Sequence, residues 1–333
     1  MENQKNRTLE LIKLVAAYMV VFIHVLFAGE TGTAVESVGR FAVPLFFLIS
    51  GFYSYQIKPE KIKKRAKSIL VLAIVATVCC TIFKVWQMYT TRGMQGIDAY
   101  FIRYTKPEVL FRLFFLNVTL SSGHLWYLFA ILYVYIIFYF VTKFRVSDKA
   151  IFITSFSLLV AHLLLGEGLA ILGITVKNYY IRNFFLMGIP CFGLGLFARK
   201  YKDKFRDIPN YLIYIAAFIG ILESIISRFS FGRQEMYIGS LFILFALVCT
   251  FIKYSDAKIP SFVMALEGCS TYIYIFHNII ANIMKDLYPL FGLSMKRSLL
   301  LQNIHPILVC VVSTIVAYVI VRISAKIRKK QIV

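Results

Sequence analysis

Long apolar runs, broken by short polar, glycine-marked or proline-marked segments, recur from about residue 9 to residue 325. Most of these runs approach the ~20 residues that an α-helix needs to cross a bilayer. Read against the breaks, the pattern predicts ten helices, over 9–28, 38–55, 68–89, 124–142, 150–166, 184–198, 210–227, 237–252, 262–284 and 305–325. The longest connection, 90–123, holds an apolar piece from Val109 to Leu116 that is too short to cross and suits a re-entrant or interfacial segment. No fixed-period repeat, heptad array or low-complexity tract is present, and no linker is long enough to divide the chain. The expected fold class is an all-α integral membrane protein of about ten transmembrane helices. A single membrane domain over 1–333, with no appended soluble domain, is expected.

Composition strengthens this picture. Of 333 residues 59% are hydrophobic and 16% charged, whereas a soluble domain carries roughly a quarter charged residues. The net charge of +21 would suit nucleic acid, but the cations border apolar spans, so no nucleic-acid partner is expected and the lipid bilayer is the partner. With the N-terminus inside, one side collects Lys5 and Arg7, Lys58 to Lys67, Lys143 to Lys149, Arg199 to Arg206, Lys253 and Lys258, and Arg322 to Lys330. The opposite side is poorer in cations, which places both termini in the cytoplasm. Lys5, Arg7 and the apolar run from Leu9 imitate a signal peptide, but Glu10, Lys13 and His24 interrupt the run and no small-x-small cleavage site follows. The six cysteines lie in apolar stretches without the paired spacings of a zinc site, so free thiols and no metal are expected. The Walker A, Rossmann, HExxH and GxSxG patterns are missing, which removes support for ATP-driven transport, dehydrogenase and zinc-protease chemistry.

Ionisable residues inside spans are expensive, at about 2.5–3.5 kcal/mol on insertion scales, and are functional candidates by default. Lys13 and His24 are 11 residues apart, about three helical turns, so they share a face and stand about 16 Å apart along the axis. A snorkelling lysine and a helix-bridging histidine are the structural alternative. His277 lies about 15 residues into its span, as His24 does in the first, so the two imidazoles are expected at similar depth. Two such rings suit holding or moving a proton near neutral pH; helix-bridging hydrogen bonds are the alternative. His124 and Arg182 open their spans from the outer side and suit a shared cavity mouth, while His162 reads as a packed interfacial histidine. Glu223, mid-span, needs a cation or a proton, in a structural ion pair or else a proton relay. Arg65 and Lys67 at the mouth of the third span suit a phosphorylated ligand or a plain positive-inside loop.

Five stretches together resemble the acyltransferase type 3 family of integral-membrane acyltransferases, many of which O-acetylate bacterial surface glycans. They are Glu10 to His24, Pro44 through Ser50-Gly51-Phe52, His124-Leu-Trp126, Arg182-Asn183 leading to Gly188 through Gly195, and Ser270 to His277. The resemblance implies a ten-helix core that takes an acyl group, commonly acetyl, from cytoplasmic acyl-CoA to a hydroxyl of a glycan or lipid-linked acceptor. Acetyl-CoA or another acyl-CoA is then the donor substrate, with no permanently bound cofactor. His24 matches the family's essential first-helix histidine, Lys13 the position that usually holds Arg, and Glu10 the usual Asp. Arg65 and Lys67 match the basic cluster opening the third helix, without the proline that commonly follows. The resemblance makes His24 a general base or a transient acyl carrier, with His277, His124 or Arg182 polarising the carbonyl or placing the acceptor. Ser50, Trp126, Glu10 and Glu223 are expected to support the site. A bacterial plasma membrane is the expected location.

Two rivals from other classes stand beside the enzyme. One is a proton-coupled transporter or flippase using His24, Glu223 and His277; the other is a non-catalytic membrane scaffold or sensor. The assigned orientation has a direct test. A fluorescent protein fused after Val333 should fold and fluoresce, while an alkaline phosphatase fused there, active only after export, should stay silent; an active phosphatase reverses the orientation.

Overall fold

The computed structural model describes residues 6–119 and 121–330, with side chains described to residue 327. Lys5, and the side chains of Arg328, Lys329 and Lys330 invoked in the charge argument, lie outside that description. Helix accounts for 82% of the described residues, among which no strand occurs. In chain order the helices are α1 (Arg7–His24), α2 (Gly29–Gly39), α3 (Ala42–Phe52), α4 (Pro59–Ile102), α5 (Pro107–Leu116), α6 (Trp126–Lys143), α7 (Asp148–Leu163) and α8 (Leu169–Ile171). They continue as α9 (Asn178–Ile181), α10 (Ile189–Lys200), α11 (Lys202–Arg206), α12 (Asn210–Phe231), α13 (Ile238–Lys253), α14 (Ser261–Ala265), α15 (Cys269–Leu287) and α16 (Leu299–Lys330). Among the described residues six stretches are long and apolar enough to cross a bilayer: Gly29–Phe52, Pro59–Thr105, Gly123–Lys143, Asp148–Ile171, Asn210–Phe231 and Leu299–Ile327.

Several boundaries differ from the hydropathy pattern, each for a local reason. Residues 29–37, expected as a connection, form most of α2, a helix rich in Gly and Thr whose stability comes from buried charges rather than an apolar stripe. α4 runs on past residue 89 to Ile102 with a kink at Gly93, where φ is 62°. Its extension is polar, and Thr90 and Thr91 return their hydroxyls to carbonyls one turn back, at 3.1 and 2.7 Å. The apolar piece in the following connection is the helix α5. The stretch expected as one helix over 262–284 is divided at Gly268, whose φ of 80° is left-handed. α16 starts at Leu299 rather than 305 and carries Pro306 within it.

The chain forms two compact units. The first comprises residues 6–46 and 201–330 among those described. Asn6 caps α1 by accepting from Leu9 N at 2.9 Å, and its amide donates to Phe251 O at 2.7 Å. Thr8 donates to Tyr254 O. The start of α1 is thereby fastened to carbonyls at the end of α13 that have no intrahelical donor. Above this, Leu14, Ala17, Val21 and Val25 recur at helical spacing and pack with Ile273, Ile280 and Ala281 of α15 and Val309, Cys310 and Ala317 of α16. Small residues at this seam let the backbones approach closely, which is how helices associate where lipid competes equally well for apolar surface.

The same unit buries a group of charges. Glu36 of α2 is 1% exposed and Arg40, just past that helix, 4%. Arg40 binds Glu36 and, at 3.3 Å, Glu235; Arg228 and Arg233 each reach Glu36 through Nε at 3.0 Å. These bonds tie α2 to the end of α12 and to the turn that follows. In that turn the Tyr237 hydroxyl accepts from Gln234 N at 3.1 Å and donates to Gly232 O at 3.2 Å.

The second unit, residues 47–200, is held by backbone contact. A Cβ on Gly51 would lie 1.9 Å from Phe192 O, and one on Gly195 1.9 Å from Leu48 O. Only glycine at both positions lets α3 and α10 meet. Asn183 caps the π-turn before α10 by accepting from Phe185 N and Leu186 N at 2.9 and 3.0 Å.

Removing one member of a buried ion cluster strands the others, at about 3–5 kcal/mol. Arg40→Ala is expected to lower stability by that order in thermal unfolding of the detergent-solubilised protein. A change within error would mean that the cluster is solvated.

Candidate functional site

The core of α1, α15 and α16 places the two histidines singled out by spacing. His24 is the last residue of α1 and half-buried; His277 is in the middle of α15 and fully buried. Their ring centroids are 5.3 Å apart and their planes 26° from parallel, a stacked pair. His277 Nδ1 lies 2.8 Å from Tyr274 O and 3.2 Å from Ile273 O. A carbonyl only accepts, so Nδ1 carries the hydrogen, and in the neutral ring Nε2 holds a lone pair. One imidazole is thus locked by its own helix in a defined tautomer, against the face of a second at the end of another helix.

Further down α1, Lys13 donates to Glu10 at 2.7 Å. The lysine on the His24 face therefore has a carboxylate partner one turn away, which offsets part of its charge. Glu223, also in the first unit, accepts from Ser227 Oγ at 2.8 Å and from Gly239 N. Gly239 is in the first turn of α13, where free amides and the helix dipole favour a carboxylate. A Cβ on Gly239 would fall 2.2 Å from Glu223 Oε2, so the glycine admits this cap.

The second unit gathers another set. Gly123–Leu125 make one 3-10 turn before α6. His124, 1% exposed, shares a hydrogen bond of 2.7 Å with Ser122 Oγ through Nδ1. The guanidinium of Arg182 lies over the Trp126 ring at 5.6 Å, a cation–π contact. Tyr127 bonds Ser50 and packs its ring edge on Phe47 at 4.7 Å. Ser50, Trp126 and Arg182 are thereby joined through α6, with His124 opening it. His162 is buried on α7.

Arg65 in the first turns of α4 donates to Tyr53 O at 2.9 Å and Ser54 Oγ at 2.8 Å, which fixes its direction at the end of α3. With Lys61, Lys64, Ser68, Ile69 and Tyr135 it lines a cavity of about 560 Å³. Lys67 is exposed and not among the lining residues. Lys61 and Lys64 were hidden in the sequence by the long basic run; only the cavity separates them from their neighbours.

Sequence reasoning also passed over His305, which is buried on α16 with Nδ1 2.7 Å from the Tyr288 hydroxyl. A histidine before an intrahelical proline was the available signal. Glu36 and Glu235 went unnoticed because they stand in short segments between apolar runs.

A family model described as an acyltransferase domain matches residues 6–322. No curated protein and no solved structure matches the chain. The tautomer of His277 is open to measurement: in protein labelled with ¹⁵N-histidine, the neutral ring should show a protonated Nδ1, and a protonated Nε2 would contradict the geometry.

Proposed function

The chain belongs to the acyltransferase-domain family and is a multi-pass membrane acyltransferase, and from that premise we propose that it moves an acyl group, acetyl in the first instance, from cytoplasmic acyl-CoA to a hydroxyl of a cell-surface glycan or lipid-linked acceptor. The observation that carries this reading is the stacked pair of His24 and His277 at 5.3 Å. In direct transfer His24 takes the proton of the acceptor hydroxyl as its oxygen attacks the thioester carbonyl. The new C–O bond forms, the C–S bond breaks, and the proton passes from His24 to the departing thiolate. In the two-step variant a nitrogen of His24 attacks the thioester carbonyl, the C–S bond breaks and CoA leaves as the thiol with the imidazole proton; the acceptor hydroxyl then attacks the acyl-imidazole, its C–N bond breaks and the hydroxyl proton returns to His24. In either route the hydrogen-bonded Nδ1–H of His277 leaves Nε2 as an acceptor, on a ring stacked against that of His24.

Donor recognition is assigned to cations. Lys13, Arg65 and Lys67 are proposed to engage the phosphates of the donor, and Lys61 and Lys64 join Arg65 at the cavity they share. The donation of Arg65 to Tyr53 O and Ser54 Oγ supports this role by pre-orienting the guanidinium, since a fixed fork recognises phosphate better than a mobile one. Lys13 offers a point charge and shares it with Glu10. His124, Trp126 and Arg182 are proposed to place the acceptor or polarise the carbonyl, with Ser50 and Glu223 in support. A bacterial plasma membrane, with ten crossings and cytoplasmic termini, completes the reading.

The test uses purified protein in nanodiscs, with acetyl-CoA binding followed by calorimetry and free CoA by thiol assay. Binding should saturate, weaken in Arg65→Ala and Lys13→Ala, and persist in His24→Ala, while CoA release in His24→Ala falls by about 10²–10⁴-fold, the usual worth of a positioned acid–base group. A folded sample that binds no acyl-CoA, or a His24→Ala protein that releases CoA normally, would return the chain to the transporter or scaffold classes.

A further inference from the structure

The second unit contains a feature that the acyl-transfer reading does not use. Between α6, α7 and α10 runs an apolar cleft of about 170 Å³, walled by residues such as Val134, Phe138, Val141, Ile151, Ile189 and Leu196. It adjoins a second cavity of about 340 Å³ that is polar at its far side, where Tyr55, Gln56, Arg145, Ser147 and Asp148 stand. The two share Phe138, Val141, Val146, Ile151 and Leu196, so the apolar cleft continues directly into the polar mouth. The helix ends agree with this direction: α6 finishes at Lys143, α7 begins at Asp148 and α10 finishes at Lys200.

The mouth is basic. Asp148, its carboxylate, is engaged by the Tyr55 hydroxyl at 2.9 Å and by Lys200 at 2.7 Å. Arg145 is exposed and, among the described residues, makes no ion pair. Its backbone closes α6, with Arg145 N on Thr142 O at 3.2 Å and Val146 N on Val141 O at 3.0 Å, and its φ is 54°. Glycine is the usual residue for that left-handed closure. Here the position carries a long cationic side chain over the cleft, and Gln56, also left-handed at φ 56°, stands at the same mouth.

We propose that this cleft is a binding site for an anionic phospholipid, one acyl chain lying between α6, α7 and α10 and the phosphate held at the mouth by Arg145. Charge complementarity selects this occupant over a neutral lipid, since the mouth holds an unpaired cation and its carboxylate is already neutralised. Shape selects a single alkyl chain over a protein helix, because the apolar cleft is narrow. The basic ends of these helices belong to the cytoplasmic leaflet by the positive-inside rule, where anionic lipids concentrate and basic pockets between helices recognise their headgroups. The proposal requires only a membrane-spanning chain and stands independently of the acyl-transfer reading.

The experiment is native mass spectrometry of the detergent-solubilised full chain titrated with phosphatidylglycerol or phosphatidylcholine, alongside thermal unfolding. Wild type should retain phosphatidylglycerol at least tenfold better and gain melting temperature from it. Arg145→Gly suits the backbone closure, so it should fold at least as well as wild type yet lose that preference and that gain. Ala150→Phe, which fills the cleft from an exposed position, should reduce retention of both lipids. Palmitoyl-CoA should not displace the bound lipid. Equal retention of the two lipids by wild type, unchanged retention in Arg145→Gly or in Ala150→Phe, or displacement by palmitoyl-CoA, which would make the cleft a donor-tail site, would each overturn the proposal.

Discussion

A polar group in hydrocarbon has no water to turn to and must find its partner within the protein. The placement of the charged and hydrogen-bonding side chains in this chain follows from that constraint. Glu36 meets three arginines, Glu223 meets a backbone amide and a serine hydroxyl, and His277 gives its Nδ1–H to its own helix. Each solution also fixes geometry. The arginines around Glu36 tie a helix with little apolar surface to two distant segments, and the carboxylate of Glu223 fastens α12 to the first turn of α13. Polar satisfaction is therefore part of how the helices are held, alongside the small-residue seams.

The same constraint shapes the chemistry. An imidazole that already spends one nitrogen on a carbonyl is a one-sided base, with its tautomer decided before any substrate arrives. Its ring is stacked on that of His24, so the two imidazoles share one pocket of the α1–α15 seam. The seam of Ala17, Ala281 and Ala317 bears on this indirectly: bulkier residues there would separate α1 from α15 and with them the two rings. In the second unit, glycines at 51 and 195 do similar work for α3 and α10. On the same helix α3, Ser50 bonds Tyr127, the neighbour of Trp126 on α6.

Much of the architecture was legible from the chain alone. The apolar runs announce helices, and the Lys13 to His24 spacing places both on one face because the helical period is fixed. A similar depth for His24 and His277 was expected from counting residues into each span, and their rings do stack. The ends of elements were less legible. The polar extension of α4 and residues 29–37 of α2 do not stand out in the hydropathy pattern, since one is sustained by backbone bonds and hydroxyl return bonds and the other is tied by ion pairs. Lys61 and Lys64 were likewise indistinguishable from their neighbours, because a run of cations says nothing about which of them faces a cavity.

By itself, then, the sequence determined the solvent of this protein, its helical class and the residue types available for proton transfer, since these depend on composition and on the short-range periodicity of a single helix. Only the tertiary structure decided which of those residues meet. The stacking of His24 on His277, the gathering of Glu36, Arg40 and Glu235, the bond between Tyr288 and His305 and the cleft behind Arg145 all join positions that are distant in the chain or on different helices. Their contacts depend on how side-chain volumes pack and on where a glycine lets two backbones touch, quantities that no local pattern of hydrophobic and polar residues contains.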